Sequence, residues 1–405
     1  MKRHSAPITC PLASRSALLT GCVLLFLASV LPAVTRADAP VPAVQHDALE
    51  VQNARTARGA KQRDQRFYTR AWDLSGLPDY VPQQQVSGVI RLRGNDAINR
   101  GHLFQYLEEG FRKFQPGVTL DLSLKSSAVA IPALVTGTAD IGIGRHIQFM
   151  ELLGFQRTFN HDPLELVPLN GAYDVLGWNP AWIVVVNRQN PITRLTVRQL
   201  DGILGAERNG GWVGTTWHPE FARGPEGNIR TWGQLGLTGE WADKPIHVRI
   251  MSLQYDPTNT LCRLLLKGSD KWNETLVQYC QYVRPDGNLG IGAQDLVKDT
   301  EQDPYSIGVS NIAFLTPGTK ALALAVDDAG PFLEPTIENI QARTYFLHSS
   351  NYFYINREPG QPVDPKVREF LRYILSRQGQ EAVVRDGKLL PLPLDTVLAQ
   401  LKKLE

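Results

Sequence analysis

The chain has 405 residues, with 42 Lys and Arg against 40 Asp and Glu and a formal net charge of +2. That length exceeds what one hydrophobic core usually serves, so two lobes are expected. With 43% hydrophobic and 20% charged residues, the balance argues against a basic nucleic-acid binder or a polybasic membrane-surface protein.

The first 37 residues read as a signal peptide. Lys2, Arg3 and Arg15 make a positive start, residues 17–34 are almost wholly apolar, and Ala37 follows as a small residue at the cleavage position. The apolar run falls short of the roughly twenty residues that span a bilayer. Leu19-Thr20-Gly21-Cys22 has the form of a lipid-anchoring box, but most of the apolar run follows Cys22. Export to the periplasm is expected either way. Beyond the leader only Cys262 and Cys280 remain, open to one disulfide or two thiols in an oxidising compartment.

Residues 38–66 are rich in Ala, Gln and Arg, lack apolar periodicity, and read as a mobile extension; 77–82 read as an extended linker, so 38–85 form an N-terminal segment. The folded part opens with a strand at 86–94, a helix at 101–114 carrying Leu103, Phe104, Leu107 and Phe111, and a strand at 118–124. A helix over 129–137 and a short buried strand at 139–144 follow. Strand, helix, strand, helix, strand predicts a parallel α/β sheet. Further on, strands are predicted at 181–187, 244–250, 307–310, 321–326 and 345–355. Helices are predicted at 197–204, 260–267 and 367–376, the last continuing into a closing pair. Crossings near 178–184 and 342–346 would form a hinge, giving one lobe of 86–182 with 345–405 and another of 183–344. Trp178 and Trp182 read as hinge packing.

Several stretches resemble one family in order. They are Ala139-Asp140-Ile141-Gly142-Ile143-Gly144-Arg145; Val185-Val186-Asn187 with Asn190-Pro191, Leu195-Thr196 and Gln199-Leu200; Pro335-Thr336 with Ile340 and Tyr345; and Phe370 through Ser376 with Gly379-Gln380. Over roughly 86–392 the chain resembles the phosphate-binding subunits of ABC transporters. The resemblance implies a two-lobed α/β type II periplasmic-binding fold with a central cleft. It further implies a small oxyanion ligand, most simply inorganic phosphate, and delivery to a membrane permease by a monomer with no cofactor and no metal.

A buried anion needs every oxygen satisfied, and polar turns at helix starts do this with N–H groups and hydroxyls, aided by a guanidinium. Four turns qualify: Asn95 after the first strand, Ser126 and Ser127 after the second, Arg145 after the third, and Thr258, Asn259 and Thr260 at a later helix start. His146 reads as a neighbour of the site, and Asp96 as a group that repels an anion. The family's fourth turn carries Gly where Asn259 stands. The alternative is an exported binding or adhesion protein on this scaffold with another anionic ligand or no transport role. Enzymatic function is not expected, because no G-x-S-x-G, H-E-x-x-H or C-x-x-C occurs.

Overall fold

The structure is a computed structural model, and it describes residues 48–405. The expected signal peptide, Cys22 and residues 38–47 lie outside the described residues. Helix α1 (Ala48–Lys61) comes first, where the sequence reading placed no regular structure. Its inward side is narrow: only Val51 and Gly59 are buried, so no apolar stripe announces it.

The first half then builds β1 (Ser87–Gly94), α2 (Leu103–Arg112), β2 (Gly117–Leu124), α3 (Ala130–Val135), β3 (Ile141–Gly144), α4 (Phe149–Phe159) and β4 (Leu164–Asn170). Leu103, Phe104, Leu107 and Phe111 of α2 are all buried, as helical spacing requires. β1 pairs in parallel with both β2 and β3, so the carboxyl ends of all three strands reach one edge. Gly94 is fixed by sterics there: its φ is +143°, and a Cβ would lie 1.8 Å from the Ile143 carbonyl oxygen. The next amide, of Asn95, donates to that same oxygen at 2.8 Å.

The second half contains β5 (Trp182–Asn187), β6 (Arg194–Thr196), α5 (Val197–Leu204), β7 (Gly211–Val213), β8 (Thr216–His218), β9 (His247–Met251), α6 (Asp256–Leu264), β10 (Val277–Tyr279), β11 (Tyr282–Val283), β12 (Leu289–Gly290), α7 (Gly292–Gln302), β13 (Ser306–Asn311), β14 (Thr319–Ala321) and β15 (Ala323–Ala325). Ile183 to Val186 of β5 are fully buried, as a continuous apolar run in a covered sheet should be. Thr196 and Gln199 cap α5 reciprocally. The run expected as one strand at 321–326 is divided at Leu322: β14 pairs with β5 and β15 with β6.

The chain closes with α8 (Ile337–Gln341), β16 (Ser350–Ile355), α9 (Pro365–Ile374), α10 (Arg377–Asp386) and α11 (Leu394–Lys402). The strand expected from residue 345 starts at Ser350. The two five-stranded sheets share one plan. The first runs β2-β1-β3-β16-β4 and the second β10-β9-β13-β5-β14. In each, three parallel strands are followed by one antiparallel strand, β16 or β5, and then by a fifth that runs with the first three. The fold is thus the expected mixed α/β architecture with two sheets. The chain passes from the first sheet to the second between Asn170 and Trp182, and returns before Ser350.

Residues 62–85 are docked along the first half. Tyr68 Oη accepts from the Tyr173 and Asp174 amides, at 2.8 and 3.1 Å. Tyr80 is buried and its hydroxyl donates to Glu369 at 2.7 Å. Trp178, on the first connection between sheets, is 1% exposed, with Phe67 and the Lys388 ammonium against its ring. Cys262 and Cys280 are separate thiols. Cys262 donates to Asp270, and burial pushes its thiol up to about 12.

Candidate functional site

Parallel strands deliver their following loops to a common edge, which is where open α/β sheets bind ligands. In the first sheet these loops carry Asn95, Ser126, Ser127 and Arg145. In the second, β9 leads through Ser252 into α6, and β10 leads to Gln281. One ion pair joins the two edges: Arg145 Nε lies 2.9 Å from Asp256 Oδ1 at the start of α6. Its angle is outside hydrogen-bonding geometry, so the contact is coulombic. Arg145 Nη2 also donates to Glu151 of α4 at 3.1 Å.

The first-sheet residues keep polar groups at this edge. Asn95 Oδ1 accepts from the Ala97 amide at 2.9 Å. Ser126 Oγ accepts from the Ala128 amide at 3.3 Å. Ser127 packs beside Gly144. Asp96 is paired with Arg100 at 2.6 Å, which neutralises the carboxylate nearest the first turn.

The start of α6 is differently occupied. Thr258 is 1% exposed, and its hydroxyl reaches back to the Ser252 and Met251 carbonyls at 2.7 and 3.2 Å. Thr260 donates to the Asp256 carbonyl at 3.0 Å. The Thr258 and Asn259 amides both donate to the Tyr255 carbonyl, and Pro257 has no N–H. Few backbone donors of this first turn remain for an anion, and Asp256 stands on its positive end. The Asn259 side chain is the polar group this turn leaves half-buried without a hydrogen-bond partner among the described residues.

Sequence reading missed the cations around the same seam. Arg263 lies seven residues after Asp256 and four after Asn259, on one face of α6. Its Nε is buried without a partner, and its charge acts on His146, Glu165, His348 and Tyr352 of the first half. Arg263 lies inside the helix expected at 260–267, but its place on the face of Asp256 and Asn259 follows only once the helix starts at Asp256. Burial, then Arg263 and Arg145, holds His146 down to about 4; burial, then Arg343 and Arg263, holds His348 down to about 4. Both histidines are therefore neutral at pH 7. Burial raises Asp256 against the pull of Arg145 and Arg55, although about half of its side chain (53%) still meets solvent. Arg249, which precedes α6, is spent on Ser306, Tyr279 and Asp303.

A second contact crosses the seam elsewhere. Phe149, at the start of α4, packs edge-on against Trp212 of the β7–β8 hairpin at 4.9 Å, and Trp212 against Trp217 at 5.0 Å. At the hairpin tip Thr215 donates to Gln156 of α4 at 2.9 Å. A surface hollow of about 470 Å³ is lined by Glu207, Arg208, Trp272 and Glu274, none of which is among these residues. Among the described residues no cluster of three metal-ligating side chains occurs, and no helix is long and apolar enough to cross a membrane.

Residues 81–378 match the model of the PBP superfamily domain. The phosphate-binding protein PstS of Pseudomonas aeruginosa strain PAO1 is 31% identical over 334 residues, covering 81% of this chain and 90% of the relative. That of strain UCBPP-PA14 matches equally. Among solved structures, PstS from Borrelia burgdorferi aligns at a TM-score of 0.48 and 17% identity, covering 76% of this chain and all of that one. An ABC-type phosphate transport receptor from Vibrio cholerae aligns at 0.45 and 18%, covering 75% and 100%. By the family model and the two curated relatives, the chain belongs to the PBP superfamily, in its family of phosphate-binding proteins.

Proposed function

We propose that the chain is an exported solute-binding protein that captures inorganic phosphate between two lobes and passes it to an ABC transporter permease, without catalysis. Residues 86–182 with 345–405 make one lobe and 183–344 the other. The observation that carries the reading is the cross-seam position of Arg145, with the Asn95 and Ser127 turns at the same sheet edge and Asp256 facing it from α6. An incoming phosphate takes Asp256's place at Arg145, which offers charge-assisted and bidentate bonding. The ligand group proposed is Asn95, Ser126, Ser127, Arg145, Asn259 and Thr260. Thr258 supports the turn through its inward hydroxyl. Since only the joined lobes make all these contacts, phosphate favours the closed form. Export to the periplasm and action as a monomer complete the reading.

Isothermal titration of the purified chain with phosphate tests this, after unfolding and refolding to strip any carried ligand. The proposal expects a single site of micromolar affinity or tighter. No heat from a protein shown to be folded would contradict it and favour another anion or a binding role without transport.

A further inference from the structure

Helix α1 precedes the matched superfamily region, which begins at residue 81. It nonetheless touches both sides of the seam. On the second-half side it packs on the β11–β12 hairpin, and Arg55 Nη2 donates to Gln281 Oε1. The Gln281 amide in turn donates to Tyr255 Oη at 3.0 Å, and Tyr255 immediately precedes Asp256. On the first-half side a Cβ at Gly59 would lie 2.7 Å from Arg100 Cδ, and Arg100 holds Asp96 at 2.6 Å. Just beyond the helix, Asp64 lies 2.8 Å from His102. Tyr68 then fixes the segment to the connection between the sheets.

The charge balance of the seam depends on this helix. Without it, the guanidiniums of Arg100, Arg145 and Arg263 face three carboxylates, Asp96, Glu151 and Asp256, a net charge of zero. Such a site offers a phosphate no net attraction. Arg55 and Arg58 are both on α1 and next to Arg100, and bring the group to +2. Arg55 lies within coulombic reach of both Asp96 and Asp256, the carboxylates of the first and fourth turns.

We infer that α1 is a strap across the anion site, and that Arg55 supplies a second guanidinium to the bound oxyanion, opposite Arg145. The inference rests on the phosphate reading of the seam and adds to it a binding residue from outside the two-sheet fold. When phosphate takes the place of Asp256 at Arg145, Arg55 is the α1 cation whose charge already acts on Asp256. A ligand carrying one charge gains less from two guanidiniums than a dianion does, so the strap favours phosphate in its doubly charged form.

The test is calorimetric titration with inorganic phosphate of the unchanged chain and of Arg55→Ala, Arg55→Lys, Arg70→Ala and Arg145→Ala. Arg70 is on the same N-terminal segment and pairs with Glu338 of α8, outside the seam residues. The expected result is a loss of more than about tenfold in affinity for Arg55→Ala, a smaller loss for Arg55→Lys, and less than about twofold for Arg70→Ala. Should Arg55→Ala fail to fold, Arg55→Gln, which keeps a donor for Gln281, stands in its place. Arg55→Ala at the affinity of the unchanged chain, with Arg145→Ala weakened, overturns this inference alone. No phosphate binding by the unchanged chain overturns the reading of the seam and the strap together.

Discussion

Where Arg145 meets Asp256 the two sheets are joined by charge; where Phe149 meets Trp212 they are joined by aromatic packing. The first contact is half-exposed on its acidic side, and a partly solvated ion pair contributes little, about 0–1 kcal/mol. The second is also partly exposed, Phe149 at 38%, but aromatic pairs add about 0.5–1.5 kcal/mol beyond their buried area and need no charge. A weak ionic contact is one that a better anion can replace. An aromatic contact holds the halves in register while that exchange occurs. On the proposed reading the seam separates holding from binding, and each part can be disturbed alone.

The largest expected effect is on stability against pH. His146 and His348 sit behind the ionic contact with folded pKa values of about 4 against about 6.5 unfolded. The unfolded chain therefore binds more protons between these values. Stability should be intact above about pH 6.5 and fall as pH drops towards 4, by at most about 3 kcal/mol for each histidine. Glu165 and Asp256, whose pKa values are raised, act in the opposite sense and soften the fall. Urea unfolding at pH 7, 5.5 and 4 measures it. His146→Gln with His348→Gln should flatten the profile, and an unaltered profile would show that neither histidine is its source.

On the aromatic side, Trp212→Ala should lower the unfolding free energy by about 1–3 kcal/mol, less than the loss of a fully buried Trp, with equal effect in low and high salt. A strongly salt-dependent loss would mean the hairpin is held by charge instead. Thr258→Val removes a hydroxyl bonded to two carbonyls and should cost about 1 kcal/mol of stability, with phosphate affinity changed less than twofold. A large loss of affinity there would mean the hydroxyl turns outward to the ligand. Smallest is Asp256→Asn, which removes the carboxylate competing for Arg145. It should raise phosphate affinity by about a factor of five or less, read by titration; weakened binding would make Asp256 a ligand group in its own right.

The same contrast explains what could be read from the sequence. β3 and β5 are buried runs, β1 and β2 alternate inward and outward residues, and Gly or Pro bounds them, so their positions, and the turns after them, follow from local pattern. Arg145 was accessible for that reason. Helix α1 was not, because Val51 and Gly59 make no stripe and its place depends on Gln281 and Arg100, more than 220 and about 40 residues distant. The inward hydroxyl of Thr258 was equally hidden. A Thr after Asp-Pro reads as a cap donor or acceptor, and only the closeness of the β9 end turns it back to Ser252. Helix α4 and its contact with the hairpin went unread because both partners are short amphipathic pieces that make sense only together.

The most direct measurement titrates phosphate into Arg145→Ala and Trp212→Ala side by side. A charge-assisted contact to a desolvated anion contributes about 1.5–3 kcal/mol, so Arg145→Ala should bind at least about tenfold more weakly. Trp212→Ala, less stable but folded, should bind within about threefold of the unchanged chain. Equal losses in the two variants, or unchanged affinity in Arg145→Ala, would contradict the division of the seam into a part that binds and a part that holds.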